Sequence, residues 1–166
     1  TSLARAKKMA LEGDIVAEVL RREAEVFLLQ RKPQEVVSVG TRALEVAEKA
    51  GEVHEIGYIR RAIGLAYALL GNDAEADRFI ISGIKAFRDA NNAYEANRSC
   101  CLVGEHLLAK GESRQLLRAR KLVSGALTFF EQGEEYRDMA EGHFLLARIE
   151  HVLKNRDECL LHMYEA

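Results

Sequence analysis

The sequence has little of several features that would favour other classes of protein. It has one proline, no tryptophan and three cysteines in 166 residues. No apolar run approaches the roughly 18–20 residues that span a bilayer. Cys100, Cys101 and Cys159 lack the spacing of a disulfide framework, so we expect reduced thiols and a cytoplasmic location. The formal net charge of −2 disfavours a chain that neutralises nucleic-acid phosphates, and it gives no reason to expect a membrane partner.

Motifs that carry chemistry are also missing. The sequence has no Walker loop, no GxGxxG and no CxxC, and none of its five histidines has the i, i+4 spacing of a helical zinc site. No side chain stands where it would orient a nucleophile. We therefore predict a protein that is not an enzyme and that has neither a metal site nor a cofactor.

What remains is a composition dominated by Leu, Ala, Glu, Arg and Lys, which predicts an all-α protein. Gly, Asn, Asp, Ser and Pro residues divide the chain into segments with helical apolar periodicity. The predicted helices pair as residues 15–30 with 34–50, 53–70 with 74–90, 93–110 with 114–132, and 135–154 with a helix from 157. A break at Gly13 and Asp14 would separate a helix over residues 2–12, the second helix of a preceding pair, and both ends look cut from a longer protein.

Small residues recur at one position of these pairs. The first helices carry Ala24, Gly64, Gly104 and Ala147 at spacings of 40, 40 and 43 residues, and the last spacing indicates about three inserted residues. Glycine inside a helix costs about 1 kcal/mol relative to alanine. We therefore predict that the second helix of each pair packs closely against the first at these positions, as a stacked repeat requires.

The best repeat resembles the tetratricopeptide family. In IGLAYALLGNDAEA, Ile63, Gly64, Tyr67, Gly71 and Ala76 match that family's Leu, Gly, Tyr, Gly and Ala. A looser match follows forty residues later, at Val103, Gly104, Leu107 and Gly111. The period of about 40 residues is similar to the long repeats of kinesin light chains and of bacterial signalling proteins and transcription activators. A HEAT- or armadillo-like repeat is the structural alternative.

The resemblance implies a right-handed solenoid whose first helices line a concave groove. In the family's register the side chains predicted to bind a partner are Arg21, Glu25, Tyr58, Arg61, Arg98, Glu105, Phe144, Arg148 and His151. The same register also places seven further residues in the groove: Glu18, Leu28, Leu65, Ala68, Cys101, Leu108 and Glu141. The alternative for the charged members is that they pair with one another across adjacent helices, for example Arg61 with Glu25 or Glu105.

These observations predict a non-catalytic protein-protein interaction module. Its groove would hold a peptide, a helix or another domain of the same chain, as the scaffold or sensor part of a larger regulatory protein. One alternative is self-association, in which an exposed terminal helix pair forms a homodimer. Another is the regulatory domain of a multi-domain enzyme.

Overall fold

The prediction of an all-helical chain is confirmed. The computed structural model describes residues 2–166, with side chains from residue 15 onward, and contains no strand in that part of the chain. Its helices are α1 (Ser2–Leu29), α2 (Pro33–Ala50), α3 (Val53–Leu69), α4 (Asp73–Asp89), α5 (Ala93–Lys110), α6 (Ser113–Gln132), α7 (Tyr136–Val152) and α8 (Arg156–Glu165). None of these helices combines the length and apolar character that crossing a membrane requires.

The helices form two compact units, which divide within α5. The first unit is Thr1–Ala96 and the second is Asn97–Ala166. In the first unit, consecutive helices from α1 to α4 pack on one another, and α1 also contacts α3. In the second unit, α7 packs against both α6 and α8. Packing of this kind, between neighbours in sequence, is compatible with a helical repeat.

Each turn between helices contains one residue with left-handed backbone conformation. These residues are Arg31, Gly51, Gly71, Asn91, Gly111, Glu134 and Lys154. At six of the seven turns the amide of the following residue donates to a carbonyl five residues earlier, as from Asn72 to Tyr67 at 2.9 Å and from Asn155 to Glu150 at 2.9 Å. This is the hydrogen bond of the Schellman motif, which satisfies carbonyls that a helix end would leave unpaired.

The spacing of the turns measures the repeat. Left-handed residues are 20 residues apart from position 31 to position 111, then 23 apart to position 134, and 20 apart again to position 154. The three extra residues lie in α6, which has 20 residues where α4 has 17. The insertion indicated by the sequence thus lengthens a helix and leaves the turns unchanged.

Local sequence explains several helix starts. Pro33 occupies the first turn of α2, where its missing N–H removes no helical hydrogen bond. The Asn72 side chain accepts from the amide of Glu75 at 3.3 Å, and the Asn92 side chain accepts from the amide of Glu95 at 3.1 Å. These two asparagines therefore satisfy amides at the starts of α4 and α5 that have no partner inside the helix.

The structure differs from the sequence prediction near residue 13. We predicted a break at Gly13 and Asp14 and a separate helix over residues 2–12, but α1 is one helix from Ser2 to Leu29. One glycine in a helix costs only about 1 kcal/mol. This cost is small enough for a helix to continue through such a site.

Small buried side chains let the helices of the first unit approach closely. Ala17, Ala43, Ala47, Ile59 and Ile63 form one cluster of its core, and all of them are fully buried. At Gly64 on α3, an added Cβ would lie 2.5 Å from Ile80 Cγ1 and 3.0 Å from the Ile80 amide nitrogen, both on α4. The helices α3 and α4 can approach each other this closely because position 64 has no side chain.

Candidate functional site

Arg21 forms a buried ion-pair cluster between α1 and α3. Its Nε lies 2.5 Å from Glu55 Oε2, and its Nη1 lies 2.7 Å from Glu25 Oε1. The side chain is only 5% exposed. Burial lowers the pKa of the Arg21 guanidinium, but the hydrogen bonds to Glu55 and Glu25 outweigh burial and raise it overall. Two predicted groove residues, Arg21 and Glu25, therefore pair with each other.

Arg61 repeats this arrangement one helix pair later. Its Nη1 lies 2.6 Å from Glu95 Oε2, and both side chains are mostly buried. The ring of Tyr58 lies between the two arginines, with the guanidinium carbons of Arg21 and Arg61 at 4.8 and 5.2 Å from its centroid. Glu95 is neither of the two carboxylates that we named for Arg61, although it lies on an adjacent first helix, as that alternative requires.

In the first unit, this pairing follows the repeat. Arg21 and Arg61 are 40 residues apart, as are their partners Glu55 and Glu95, so each ion pair spans 34 residues. Each arginine reaches from the first helix of a pair to the first helix of the next pair. The predicted groove residues of this unit thus hold helices together.

In the second unit the same position holds a cysteine. Cys101 lies 40 residues after Arg61, and Asp138 lies 43 residues after Glu95, which is the spacing that the insertion in α6 produces. Arg98, one turn before Cys101, has its Nε 3.6 Å from Asp138 Oδ1. Its side chain is 45% exposed, so this pair lies nearer to solvent than the two arginine pairs of the first unit.

A cavity of about 170 Å³ surrounds Cys101. We call it the Cys101 cavity. Its polar and aromatic lining consists of Arg98, Cys101 and Glu105 from α5, Phe130 from α6, and Asp138, Glu141 and Phe144 from α7. Burial, together with the charges of Asp138, Glu105 and Glu141, raises the pKa of the Cys101 thiol to about 12. The thiol is therefore protonated at neutral pH, which disfavours a nucleophilic role.

A second cavity, of about 420 Å³, adjoins α7 and α8. Most of its lining is apolar and includes Leu108, Ala147, Val152 and Met163. Three predicted groove residues complete the lining: Phe144, Arg148 and His151. Phe144 also lines the Cys101 cavity, and its side chain is 57% exposed. We call this second space the Met163 cavity.

Structure thus places the nine predicted partner-binding residues in two groups. Arg21, Glu25, Tyr58 and Arg61 belong to the first unit, where they contact one another and the carboxylates of Glu55 and Glu95. The other five line the Cys101 cavity or the Met163 cavity in the second unit: Arg98, Glu105, Phe144, Arg148 and His151. Arg148 Nη1 also lies 3.8 Å from Glu105 Oε1.

All four small residues of the predicted register are buried. Ala24 and Ala147 are 1% and 3% exposed. Gly64 packs against α4, as described above. At Gly104 an added Cβ would overlap Val123 Cγ2 on α6 and would lie 3.4 Å from Leu145 Cδ2 on α7. The contact that limits position 104 is thus with a side chain, whereas position 64 also meets backbone atoms.

Sequence reasoning missed one pair of titratable groups. The Nδ1 atoms of His143 on α7 and His162 on α8 are 3.1 Å apart. His143 and His162 are 19 residues apart in the sequence, as are Gly104 and Val123, which are in contact between α5 and α6. The repeat register could therefore have predicted that the two histidines lie close together. Burial, and then the neighbouring His143, lower the pKa of His162.

Other chemistry is sparse in the part of the chain that the structure describes. Within it, no group of three or more His, Cys, Asp or Glu side chains could hold a metal ion. The three cysteines are free thiols, and Cys100 is buried. Neither a protein-family model nor a curated protein sequence matches the chain.

Proposed function

We propose that this chain is a non-catalytic, tetratricopeptide-like interaction module. In this proposal its helix pairs stack into a right-handed solenoid, and the first helices of the pairs present the binding surface. The partner is a peptide, a helix or another domain of the same protein, held by shape and charge complementarity. The module would serve as the scaffold or sensor part of a larger cytoplasmic regulatory protein involved in signalling or transcription.

The regular turns support the repeat. Left-handed residues recur every 20 residues, apart from the insertion in α6, and most of the turns use the same Schellman hydrogen bond. Within the first unit, the first helices of successive pairs, α1 and α3, contact each other directly, and the ion pair of Arg21 with Glu55 joins them. Helices that contact their next-but-one neighbour form the continuous surface that a solenoid offers to a partner.

One observation carries the binding function: Phe144 is exposed between two cavities of the second unit. Phe144 is 57% exposed and lines both the Cys101 cavity and the Met163 cavity. The Arg148 guanidinium carbon lies 5.8 Å from the centroid of this ring. An exposed aromatic ring beside an arginine and an apolar cavity is typical of an interface hot spot.

Peptides selected from a random display library on the immobilised 166-residue chain would test this proposal. Selected peptides should bind wild-type protein, and both Phe144→Ala and Arg148→Ala should weaken binding about 10-fold or more. Arg114→Ala is the matched control, because Arg114 is an exposed arginine on α6 away from both cavities described for α7. Circular dichroism would establish that all three variants keep the wild-type helical content.

Two outcomes would contradict a binding surface on α5 and α7. One is a selection that yields no peptide above background. The other is a set of peptides whose affinity is lowered as much by Arg114→Ala as by Phe144→Ala.

Self-association is the second candidate, and side chains of α8 favour it. Leu160, Leu161, Met163 and Tyr164 are all more than half exposed. Exposed apolar side chains that are contiguous on one helix are typical of an interaction site. Sedimentation velocity over a dilution series would show a concentration-dependent dimer, and Leu161→Glu should abolish it. A monomer at every concentration would exclude this candidate.

A further inference from the structure

An internal comparison identifies what the Cys101 cavity would hold. Arg21, Arg61 and Cys101 occupy the same repeat position at 40-residue intervals. The first two guanidinium groups contact Glu55 and Glu95 at 2.5 and 2.6 Å. At the third position the acid is still present as Asp138, but the side chain that would reach it is a short thiol.

The size of the cavity agrees with the absence of an arginine side chain at position 101. It measures about 170 Å³, whereas one water occupies about 30 Å³ of liquid and a cavity of about 150 Å³ can hold benzene. One guanidinium group with part of its aliphatic stem is therefore the right size to enter it. The aromatic surface is also comparable, because Phe87 lies 5.4 Å from the Arg61 guanidinium carbon and Phe130 lines the Cys101 cavity.

Carboxylates outnumber guanidinium groups in the lining of the cavity itself. Three carboxylates line the cavity, from Glu105, Asp138 and Glu141, against the single guanidinium of Arg98. Asp138 is mostly buried, with 12% of its side chain exposed. Two further arginines lie near the rim, where Arg137 pairs with Glu141 at 3.1 Å and Arg148 with Glu105 at 3.8 Å. Each of the three carboxylates therefore has an arginine near it, and Asp138, which lies 3.6 Å from Arg98, is the least exposed of the three.

We propose that the Cys101 cavity receives the guanidinium of an arginine side chain from a partner peptide, in the position that Arg21 and Arg61 occupy in the first unit. The guanidinium would donate to Asp138 and Glu141, and its stem would pack on Phe130 and Phe144. This proposal deepens the proposed function, and rests on it for the source of the arginine. Guanidinium and carboxylate groups match as planar, charge-assisted hydrogen-bonding partners, which a lysine ammonium does not reproduce.

Arg98 provides the strongest competing explanation. If its guanidinium already compensates for the missing arginine, the cavity has no need of a second cation and could instead accept a carboxylate. The 3.6 Å contact from Arg98 to Asp138 makes this a real alternative. The two explanations predict opposite effects of removing the Arg98 charge.

Isotope-edited NMR titration of the 166-residue chain tests the proposal directly. The probes are N-acetyl-L-arginine amide, the isosteric neutral N-acetyl-L-citrulline amide, the lysine analogue and acetate. We expect the arginine probe to shift backbone amides around Cys101 and Asp138 at millimolar concentration, with citrulline at least about 10-fold weaker. Arg98→Gln should strengthen arginine binding.

Variants at position 101 sharpen the test. Cys101→Arg should supply the missing guanidinium from the chain itself, so it should raise the melting temperature and abolish binding of the arginine probe. Asp138→Asn should weaken arginine binding several-fold and should cancel the rise in melting temperature when combined with Cys101→Arg.

Several results would overturn the proposal. These are citrulline binding as tightly as arginine, acetate binding that depends on Arg98, no amide shift at the highest arginine concentration, or arginine binding that survives Cys101→Arg. If Cys101→Arg does not fold, Asp138→Asn alone decides the question. Peptides that bind the chain through Phe144 without any arginine would refute the arginine cavity and leave the proposed function standing. Arginine binding at the Cys101 cavity, in a chain for which no peptide can be selected, would support the arginine cavity and contradict the proposed function.

Discussion

The first unit joins its helices with arginines, whereas the second unit has a cysteine and a cavity at the corresponding place. Arg21 and Arg61 each reach a mostly buried carboxylate on the next-but-one helix. Cys101 does not reach Asp138 in this way, and the space around it is a cavity of about 170 Å³. One change of residue in a repeat thus separates a structural position from a candidate binding position.

This difference explains why some predicted groove residues join helices and others line cavities. A polar residue at a given repeat position is available to a partner only where its pairing with the next repeat leaves it exposed, as for Glu105 and Arg148, whose side chains are 56% and 49% exposed although they pair at 3.8 Å. Arg61 is satisfied by Glu95, so its charge serves the fold. Glu105, Phe144 and Arg148 line the cavities of the second unit, where a partner could reach them.

The largest expected effect is the loss of an arginine in the first unit. Arg21→Leu would leave Glu55 and Glu25 without their buried cation, so we expect the free energy of unfolding to fall by about 3 kcal/mol. Arg98→Gln is the matched change in the second unit. Because Arg98 is 45% exposed, we expect it to cost about 1 kcal/mol or less.

Urea denaturation of the two variants measures this contrast. Equal losses would show that the two units use their arginines alike, and the comparison between them would fail. Arg21→Lys gives a further control, because it keeps the charge and removes the planar fork that contacts two carboxylates.

The close packing of helices should also differ between the units. Gly64→Ala would place a Cβ against both the Ile80 side chain and the Ile80 backbone, and we expect a loss of about 1–3 kcal/mol. Gly104→Ala should cost less, because the obstacles within 3.5 Å are side-chain atoms of Val123 and Leu145, whereas position 64 also meets the Ile80 backbone at 3.0 Å. Gly125 on α6 provides the control, since an added Cβ would meet nothing within 4 Å.

Thermal denaturation of the three alanine variants measures the order of their stabilities. Gly125→Ala should be stabilising by up to about 1 kcal/mol, through helix propensity alone. If Gly64→Ala were equally stabilising, the close approach of α3 and α4 would not depend on the missing side chain.

Acid should loosen α8 in the second unit. The pKa of His162 is lowered in the folded protein by burial and by His143, whereas Glu158 and Glu150 raise it. His143 itself faces Glu131, with Nε2 and Oε1 3.9 Å apart. Since the unfolded state binds the proton more readily, stability falls as the pH drops below 6.5 and levels off below the folded-state pKa.

Amide hydrogen exchange between pH 7.5 and pH 5 follows this effect by residue. Protection of α8 should decrease with acidification, after correction for intrinsic exchange rates, while protection of α3 should not. His162→Phe should remove the pH dependence of α8. A pH dependence that survives this substitution would assign it to another group.

Much of the fold follows from the sequence because its turns are marked locally. Predicted segments such as 53–70 and 93–110 lie within two residues of α3 (Val53–Leu69) and α5 (Ala93–Lys110). Gly51, Gly71 and Gly111 adopt the left-handed conformation that ends a helix, and glycine signals this without any tertiary contact. Gly13 carries the same signal inside α1, which shows that the residue type alone does not decide.

The ion pairs could not be predicted in the same way. The family register predicted that Arg61 lies in the groove, and Glu25 and Glu105 were the ion-pair partners considered for it. In the structure Arg61 pairs with Glu95, which lies 34 residues later. The choice among these carboxylates depends on how far adjacent helices are offset along their axes. This offset results from the packing of many side chains and has no local marker in the sequence.

The smallest expected effect concerns the turns, where both units have glycine at some left-handed positions and residues with a side chain at others. The second unit has Glu134 at φ 56°, a left-handed conformation that is strained for residues with a side chain, whereas the first unit has Gly71 at φ 73°. Glu134→Gly should therefore stabilise the protein by about 0.5–1 kcal/mol, and Gly71→Ala should destabilise it by about 1 kcal/mol. Since an added Cβ at Gly71 would meet nothing within 4 Å, backbone strain alone would account for that loss. Differential scanning calorimetry resolves both shifts, and a Glu134→Gly variant that melts below the wild type would show that the Glu134 side chain stabilises its turn by more than the strain costs.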